Sequence, residues 1–192
     1  MIVEDVAPAP RARQPAAVAP RGRVRPVVQR HAIRVELASQ TLVLLSQGRP
    51  VACYPVSTAA KGPDERLGSG GTPRGRHRIR IRIGDGCPIG AVFRGRRPTG
   101  EVYDSELAVR WPERDWILTR ILWLTGLESG RNRGGDVDTL RRFIYIHGCP
   151  DSEPMGVPRS HGCIRMRNVD LLDLFAQVRA GTLVEIEDGR NA

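Results

Sequence analysis

The chain of 192 residues contains a single lysine, Lys61, and only three each of Trp, Tyr and Phe. It also has no apolar run approaching the roughly 18 residues that a membrane-spanning helix needs, so no transmembrane segment is expected. Aromatics are 5% of the residues. With so few, and without a zinc-finger, helix-turn-helix or aromatic RNA-binding pattern, nucleic acid is not an expected partner. Met1 is followed by Ile, Val, Glu and Asp. No apolar core of about seven residues comes after them, and no secretory signal is read. The four cysteines, at 53, 87, 149 and 163, are unevenly spaced. A chain this long has no need of a disulfide framework.

What is present is arginine: 29 of the 30 basic residues, with a formal net charge of +9. Residues 1–30 carry +4 of that charge and the remainder +5. The first thirty residues interleave Pro8, Pro10, Pro15, Pro20 and Pro26 with Ala and Arg. Such a composition buries too little apolar surface to offset the entropy of ordering. It reads as a leader or linker, and residues 31–188 read as one domain.

From Ala32 onward the pattern changes. Ile33, Val35 and Leu37 alternate with polar residues, and two more β-favouring runs, Thr41 to Leu45 and Val51 to Val56, flank a turn at Gln47-Gly48-Arg49-Pro50. His77, Ile79, Ile81 and Ile83 alternate with Arg76, Arg78, Arg80 and Arg82, predicting a half-buried strand with a solvated arginine face. His77 is expected to be structural. Residues 84–115 are rich in Gly and Pro and read as loops and short strands, with Trp111 and Trp116 as cleft or core aromatics. Leu118 to Leu124 and Phe143 to Ile146 are further strands. Leu171, Leu172, Leu174, Phe175 and Val178 show helical spacing, with Asn168 as the expected N-cap and Gly181 as the stop. The predicted fold is mostly β, a β-sandwich or partly closed barrel with one helix after Cys163.

Two of the four histidines and two of the four cysteines fall between 147 and 163. A cysteine within reach of an imidazole can act as a nucleophile with its base. In Ser160-His161-Gly162-Cys163-Ile164-Arg165, an extended backbone would put His161 and Cys163 on one face. Spacing alone leaves His147 and His161 both eligible as base. Gly148, Pro150, Pro154, Gly156 and Pro158 supply a loop able to return the chain to one site. The same residues, taken as His147, Cys149, His161 and Cys163, form a ligand set for tetrahedral zinc. Only one glycine separates each His from its Cys, tighter than structural zinc spacings, and no metal is expected.

At these positions the chain resembles the L,D-transpeptidase catalytic domain family, whose signature is His-Gly followed later by Ser-His-Gly-Cys-x-Arg. Thr72-Pro73-Arg74-Gly75 resembles the family's Thr-Pro-x-Gly turn. The resemblance implies Cys163 as nucleophile and His147 as general acid/base, with the Gly148 carbonyl orienting the ring. Ser160, His161 and Gly162 would shape the substrate pocket, and Arg165 would organise or bind carboxylates. Backbone N–H groups around Gly162 and Cys163 would receive the oxyanion. The implied partners are peptidoglycan tetrapeptide stems, with carbapenem β-lactams as covalent inhibitors, and no cofactor is implied. Transfer to a second stem would give a 3→3 cross-link, and transfer to water an L,D-carboxypeptidase. A cell-wall binding module with an incidental cysteine is the non-enzymatic alternative. Cys149 departs from the small residue more usual after His-Gly. Such a substrate implies the cell envelope, and export would then require a basic and apolar segment encoded upstream of Met1.

Overall fold

A computed structural model describes residues 31–189. The leader expected over 1–30 and the last three residues lie outside the described residues. The first three strands are the predicted ones: β1 (His31–Glu36), β2 (Thr41–Ser46) and β3 (Arg49–Ser57). Gln47 and Gly48 both have positive φ, 51° and 77°, the backbone of a two-residue turn whose twist suits an antiparallel hairpin. Next along the chain are β4 (Gly75–Ile83), β5 (Ala91–Arg94), β6 (Arg97–Val102) and β7 (Ile117–Gly126). β8 (Tyr145–Gly148), β9 (Ile164–Met166) and β10 (Leu183–Glu187) complete the sheet.

The strand order is β4-β10-β1-β2-β3-β9-β8-β7, and β7 pairs back onto β4, so eight strands close into a ring. The β5–β6 hairpin hangs from β7 outside that ring. The mostly β prediction therefore holds, and the barrel is closed rather than partly closed. Two pairings are parallel, β1 with β10 and β8 with β9.

The helix expected after Cys163 is α2 (Asn168–Gln177). Its Leu171, Leu174 and Phe175 join Ile33, Leu42, Leu44, Val56, Leu122, Ile146, Ile164 and Met166 in the main core. A short helix, α1 (Ser105–Arg110), adds to the loops and strands expected for 84–115. Asp104 caps it, its Oδ1 accepting from the Leu107 N–H at 2.8 Å.

β4 keeps the predicted alternation only as far as Ile79. A bulge against β7 lies between Ile79 and Ile81. One extra residue inverts the facing of the rest of the strand. His77 and Ile79 are buried, whereas Ile81 is 41% exposed. The arginine row is correspondingly not all solvated: Arg82 stacks on the Phe175 ring at 3.9 Å and donates to the Phe175 carbonyl at 3.1 Å.

His77 is fully buried, with Nδ1 2.9 Å from the Gly75 carbonyl and Nε2 3.1 Å from Thr139 Oγ1. Burial pulls its pKa down from 6.5 to about 4. The unfolded state therefore binds the proton more readily, and stability is present in full above pH about 6.5 and falls as pH drops toward 4, by on the order of 2–3 kcal/mol. We expect the urea midpoint to fall over that interval and the fall to be smaller in His77→Gln, measured by circular dichroism at matched ionic strength.

Candidate active site

The site is set by the β8–β9 pairing. Ile146 lies opposite Ile164, His147 opposite Arg165 and Gly148 opposite Met166. Ile146, Ile164 and Met166 enter the main core, so the alternate residues face the other side. On that side Tyr145 and Ile121 form a second cluster with Ala91 and Phe93, and Cys163, just before β9, packs against it. His147 sits beside Ile121 across the β7–β8 ladder. His147 and Cys163 thus lie on one face, Cys163 immediately before the strand that runs parallel to that of His147.

The Cys163 sulfur accepts from the Tyr145 N–H at 3.3 Å and donates to the Phe143 carbonyl at 3.4 Å. Burial pushes the thiol up to about 12, against the opposing pull of the Tyr145 N–H. His147 is 1% exposed, and burial lowers its pKa. Its Nδ1 is 2.8 Å from the Gly148 carbonyl. A carbonyl only accepts, so Nδ1 carries the hydrogen and Nε2 keeps a lone pair. Desolvation disfavours the charged form of each, the thiolate and the imidazolium alike.

Gly148 cannot be larger: a Cβ there would overlap Asn168 Oδ1 and lie 2.8 Å from the Leu118 carbonyl. Asn168 is itself not the predicted N-cap. That position is Arg167, and Asn168 is the first helical residue. Its buried amide donates to the Cys149 carbonyl at 2.9 Å and accepts from Thr119 Oγ1 at 2.5 Å. Thr119, at φ 68° in a β7 bulge, also accepts from the Gly90 N–H at 2.9 Å. A β-branched residue with that φ is strained. It joins the base of the β5–β6 hairpin to the His-Gly-Cys strand end.

The loop before β9 is held from behind. Thr72 Oγ1 donates to the Gly162 carbonyl at 3.0 Å and accepts from the Ala59 N–H at 3.0 Å. Ser160 Oγ donates to the Cys163 carbonyl and accepts from the Gly162 N–H at 3.2 Å. The Gly162 N–H, expected to face an oxyanion, is therefore engaged by Ser160. Gly162 has φ +126°, so the segment is not the extended one that would put His161 and Cys163 on one face. The exposed His161 side chain instead lies 3.6 Å from Asp115 Oδ2.

Arg165 is buried between Asp115 at 2.8 Å and Glu153 at 3.2 Å, so its fork is filled by carboxylates of its own chain. These residues, with His161 and Cys149, line a cavity of about 280 Å³. Cys149 is buried, its sulfur 3.5 Å from the Met166 carbonyl and its pKa raised by burial to about 12. It serves as a small apolar filler. The two thiols are turned to different carbonyls, and among the described residues no group of three His, Cys, Asp or Glu side chains is placed to hold a metal. Trp116 is buried and packs edge-on against Tyr103, whereas Trp111 is 53% exposed.

Sequence spacing carried no sign of Asp115, Glu153 or Arg142. Arg142 donates to the carbonyls of Asp64 at 2.9 Å and Gly71 at 2.7 Å, which fixes the loop behind Gly162.

The family model for the L,D-transpeptidase catalytic domain (YkuD) matches residues 30–186. Over 49 residues the chain is 41% identical to the probable L,D-transpeptidase YbiS of Escherichia coli (strain K12), a stretch covering 26% of this chain and 16% of that protein. Among solved structures it is similar to Bdellovibrio bacteriovorus Bd1075, with TM-score 0.54, 17% identity, and coverage of 85% of this chain and 49% of that one. It is also similar to L,D-transpeptidase 3 from Mycobacterium tuberculosis in complex with a faropenem-derived adduct, with TM-score 0.50, 15% identity, and coverage of 82% and 60%. At such identities the likeness is one of fold. The chain spans about half the length of the first structure and less than two thirds of the second.

Asn168→Ser separates a cap from a bridge. A serine is an equally good cap, so a capping role predicts almost no loss of stability. A bridge between Thr119 and the Cys149 carbonyl predicts a loss of about 2–3 kcal/mol, because buried polar groups are left unpaired. We expect the larger loss in chemical denaturation.

Proposed function

The chain belongs to the L,D-transpeptidase catalytic domain family, and from that membership we propose that it is a cysteine acyltransferase acting on peptidoglycan tetrapeptide stems. Cys163 attacks the carbonyl of stem residue three. Its proton passes to Nε2 of His147 and then to the nitrogen of the departing D-Ala. A thioester remains, which the amine of a second stem opens to give a 3→3 cross-link. The Cys163 N–H is the proposed oxyanion donor, since Ser160 holds that of Gly162. Gly148 orients the imidazole, Ser160 and Gly162 shape the loop, and His161 lines the adjoining cavity. Arg165 organises Asp115 and Glu153 around that cavity. Such a substrate puts the working protein in the cell envelope.

One observation carries this proposal: a buried imidazole, its Nδ1 fixed by Gly148, shares a face with a thiol immediately before the neighbouring parallel strand. The faropenem-derived adduct of the Mycobacterium tuberculosis structure supports a parallel proposal, that β-lactams, carbapenems among them, acylate Cys163.

Incubation with tetrapeptide stems and mass analysis of the products tests the activity. The expected products are D-Ala and a cross-linked dimer, whereas a tripeptide alone identifies water as the acceptor. Cys163→Ala should remove all turnover; unchanged turnover would place the chemistry at another residue, and no product from the native chain would leave the wall-binding module as the alternative.

His147→Gln should slow carbapenem acylation by on the order of 10²- to 10⁴-fold, the usual worth of a general base, and His161→Gln by far less. Because burial lowers the His147 pKa, the acylation rate should rise with pH through a step below the ordinary histidine value of about 6.5. It should then level off, with no second step near the ordinary thiol value of about 8.5. Mass spectrometry of the adduct against pH reads both, and a step surviving in His147→Gln would assign the base elsewhere.

A further inference from the structure

We infer that Arg96 is the receptor for a carboxylate of the donor stem, a specificity determinant of the site proposed above and resting on that proposal. Arg96 and Gly95 form the two-residue tip of the β5–β6 hairpin, with Arg94 paired to Arg97. Both tip residues have positive φ, 55° for Gly95 and 69° for Arg96. Glycine or asparagine suits the second position, and an arginine there costs about 1–2 kcal/mol of backbone energy. What the side chain does at that tip must offset the cost.

Its guanidinium lies over two rings, 4.6 Å from the Phe143 centroid and 4.8 Å from that of Trp123, and Nη1 is 3.4 Å from Tyr145 Oη. This aromatic wall is also the wall of the thiol. The Tyr145 N–H and the Phe143 carbonyl are the two groups in contact with the Cys163 sulfur. Phe143 is itself held at φ 58°. Two non-glycine residues with unfavourable backbones thus meet beside the thiol, and such strain concentrates where a site needs a fixed geometry.

Two other arginines act on the thiol among the described residues, and both are filled. Arg165 is engaged by Asp115 and Glu153, and Arg142 by the carbonyls of Asp64 and Gly71. Arg96 lies over the two rings and, beyond the long contact to Tyr145, has no acidic partner among the described residues. A guanidinium without a carboxylate partner keeps N–H donors for a planar anion, and the bidentate partner of such a fork is a carboxylate or phosphate. A tetrapeptide stem brings carboxylates and no phosphate. One is the terminal carboxylate of the D-Ala leaving group. A second can be carried on the side chain of residue three.

The test compares four stems: the free acid, the D-alaninamide terminus, the side-chain amide of residue three, and both amides. Each is assayed for kcat and KM of amine or D-Ala release with the native chain and with Arg96→Gln and Arg96→Lys, at a half-buried tip position. The native chain should prefer the free acid, with KM raised about 10- to 100-fold by the amide that removes the recognised carboxylate, the range of a lost charged hydrogen bond. Arg96→Gln should lose that preference while processing the doubly amidated stem as the native chain does, and Arg96→Lys should recover part of it. Which amide abolishes the preference identifies the carboxylate.

A native chain that processes all four stems alike overturns the inference, as does an Arg96→Gln variant that keeps the preference. A uniform loss on every stem, the doubly amidated one included, also overturns it and leaves Arg96 as a clasp for the hairpin. Failure to release product from any stem is the separate failure of the proposed function. Calorimetric binding of the same four stems to Cys163→Ser reads the preference without turnover.

Discussion

Parallel pairing of β8 with β9 constrains everything around it. A parallel neighbour cannot be reached by a hairpin, so the chain must leave Gly148, travel outside the sheet and come back in the same direction. The excursion from Cys149 to Cys163 is that return path. Its far end arrives beside Tyr145, two positions from His147 along one strand face. Thr72, Ser160 and Arg142 then fix the returning loop from behind, and Asn168 fixes the departing strand end. Thiol and imidazole are presented by a ladder register rather than by side-chain attraction.

That origin explains their electrostatics. The same burial that defines the face penalises thiolate and imidazolium alike. Charge is confined to the perimeter, where Arg165 joins Asp115 and Glu153. Under the proposed acyl transfer, such a site would create its ion pair only as a bond to carbon forms. Desolvated groups are then worth more to the developing charge than they would be in water.

The sequence made legible whatever rests on local period or turn chemistry: β1 to β3, the strand feeding His147-Gly148, and α2. It could not show closure of the ring, because the β4–β7 pairing joins segments some forty residues apart, with no local signal in either. The inverted facing beyond Ile79 needs only one extra residue, which alternation of Ile with Arg conceals. His161 was assigned a face from an extended backbone that Gly162 does not adopt. Asn168 looked like a cap because it precedes a helical pattern, and only its contacts with Thr119 and Cys149 show a bridge. Asp115 and Glu153 become neighbours of Arg165 through tertiary folding alone. A chain that starts α1 with Asp104-Ser105-Glu106 did carry a capping signal, which the surrounding Gly and Pro outweighed.

Closure of the ring also bears on solubility. Eight strands have both neighbours, so along the described residues the sheet's open margin is β6, on the outer side of the hairpin. Unpaired strand margins template the addition of another chain and begin aggregation. β6 reads Arg97-Pro98-Thr99-Gly100-Glu101-Val102. It thus combines a proline that cannot donate, a glycine at φ 90° that bends the strand, and two charges. The outer strand of the hairpin that stands outside the ring is thus built to refuse a partner strand, so the hairpin can stand beside the Cys163 thiol without becoming a seed for self-association.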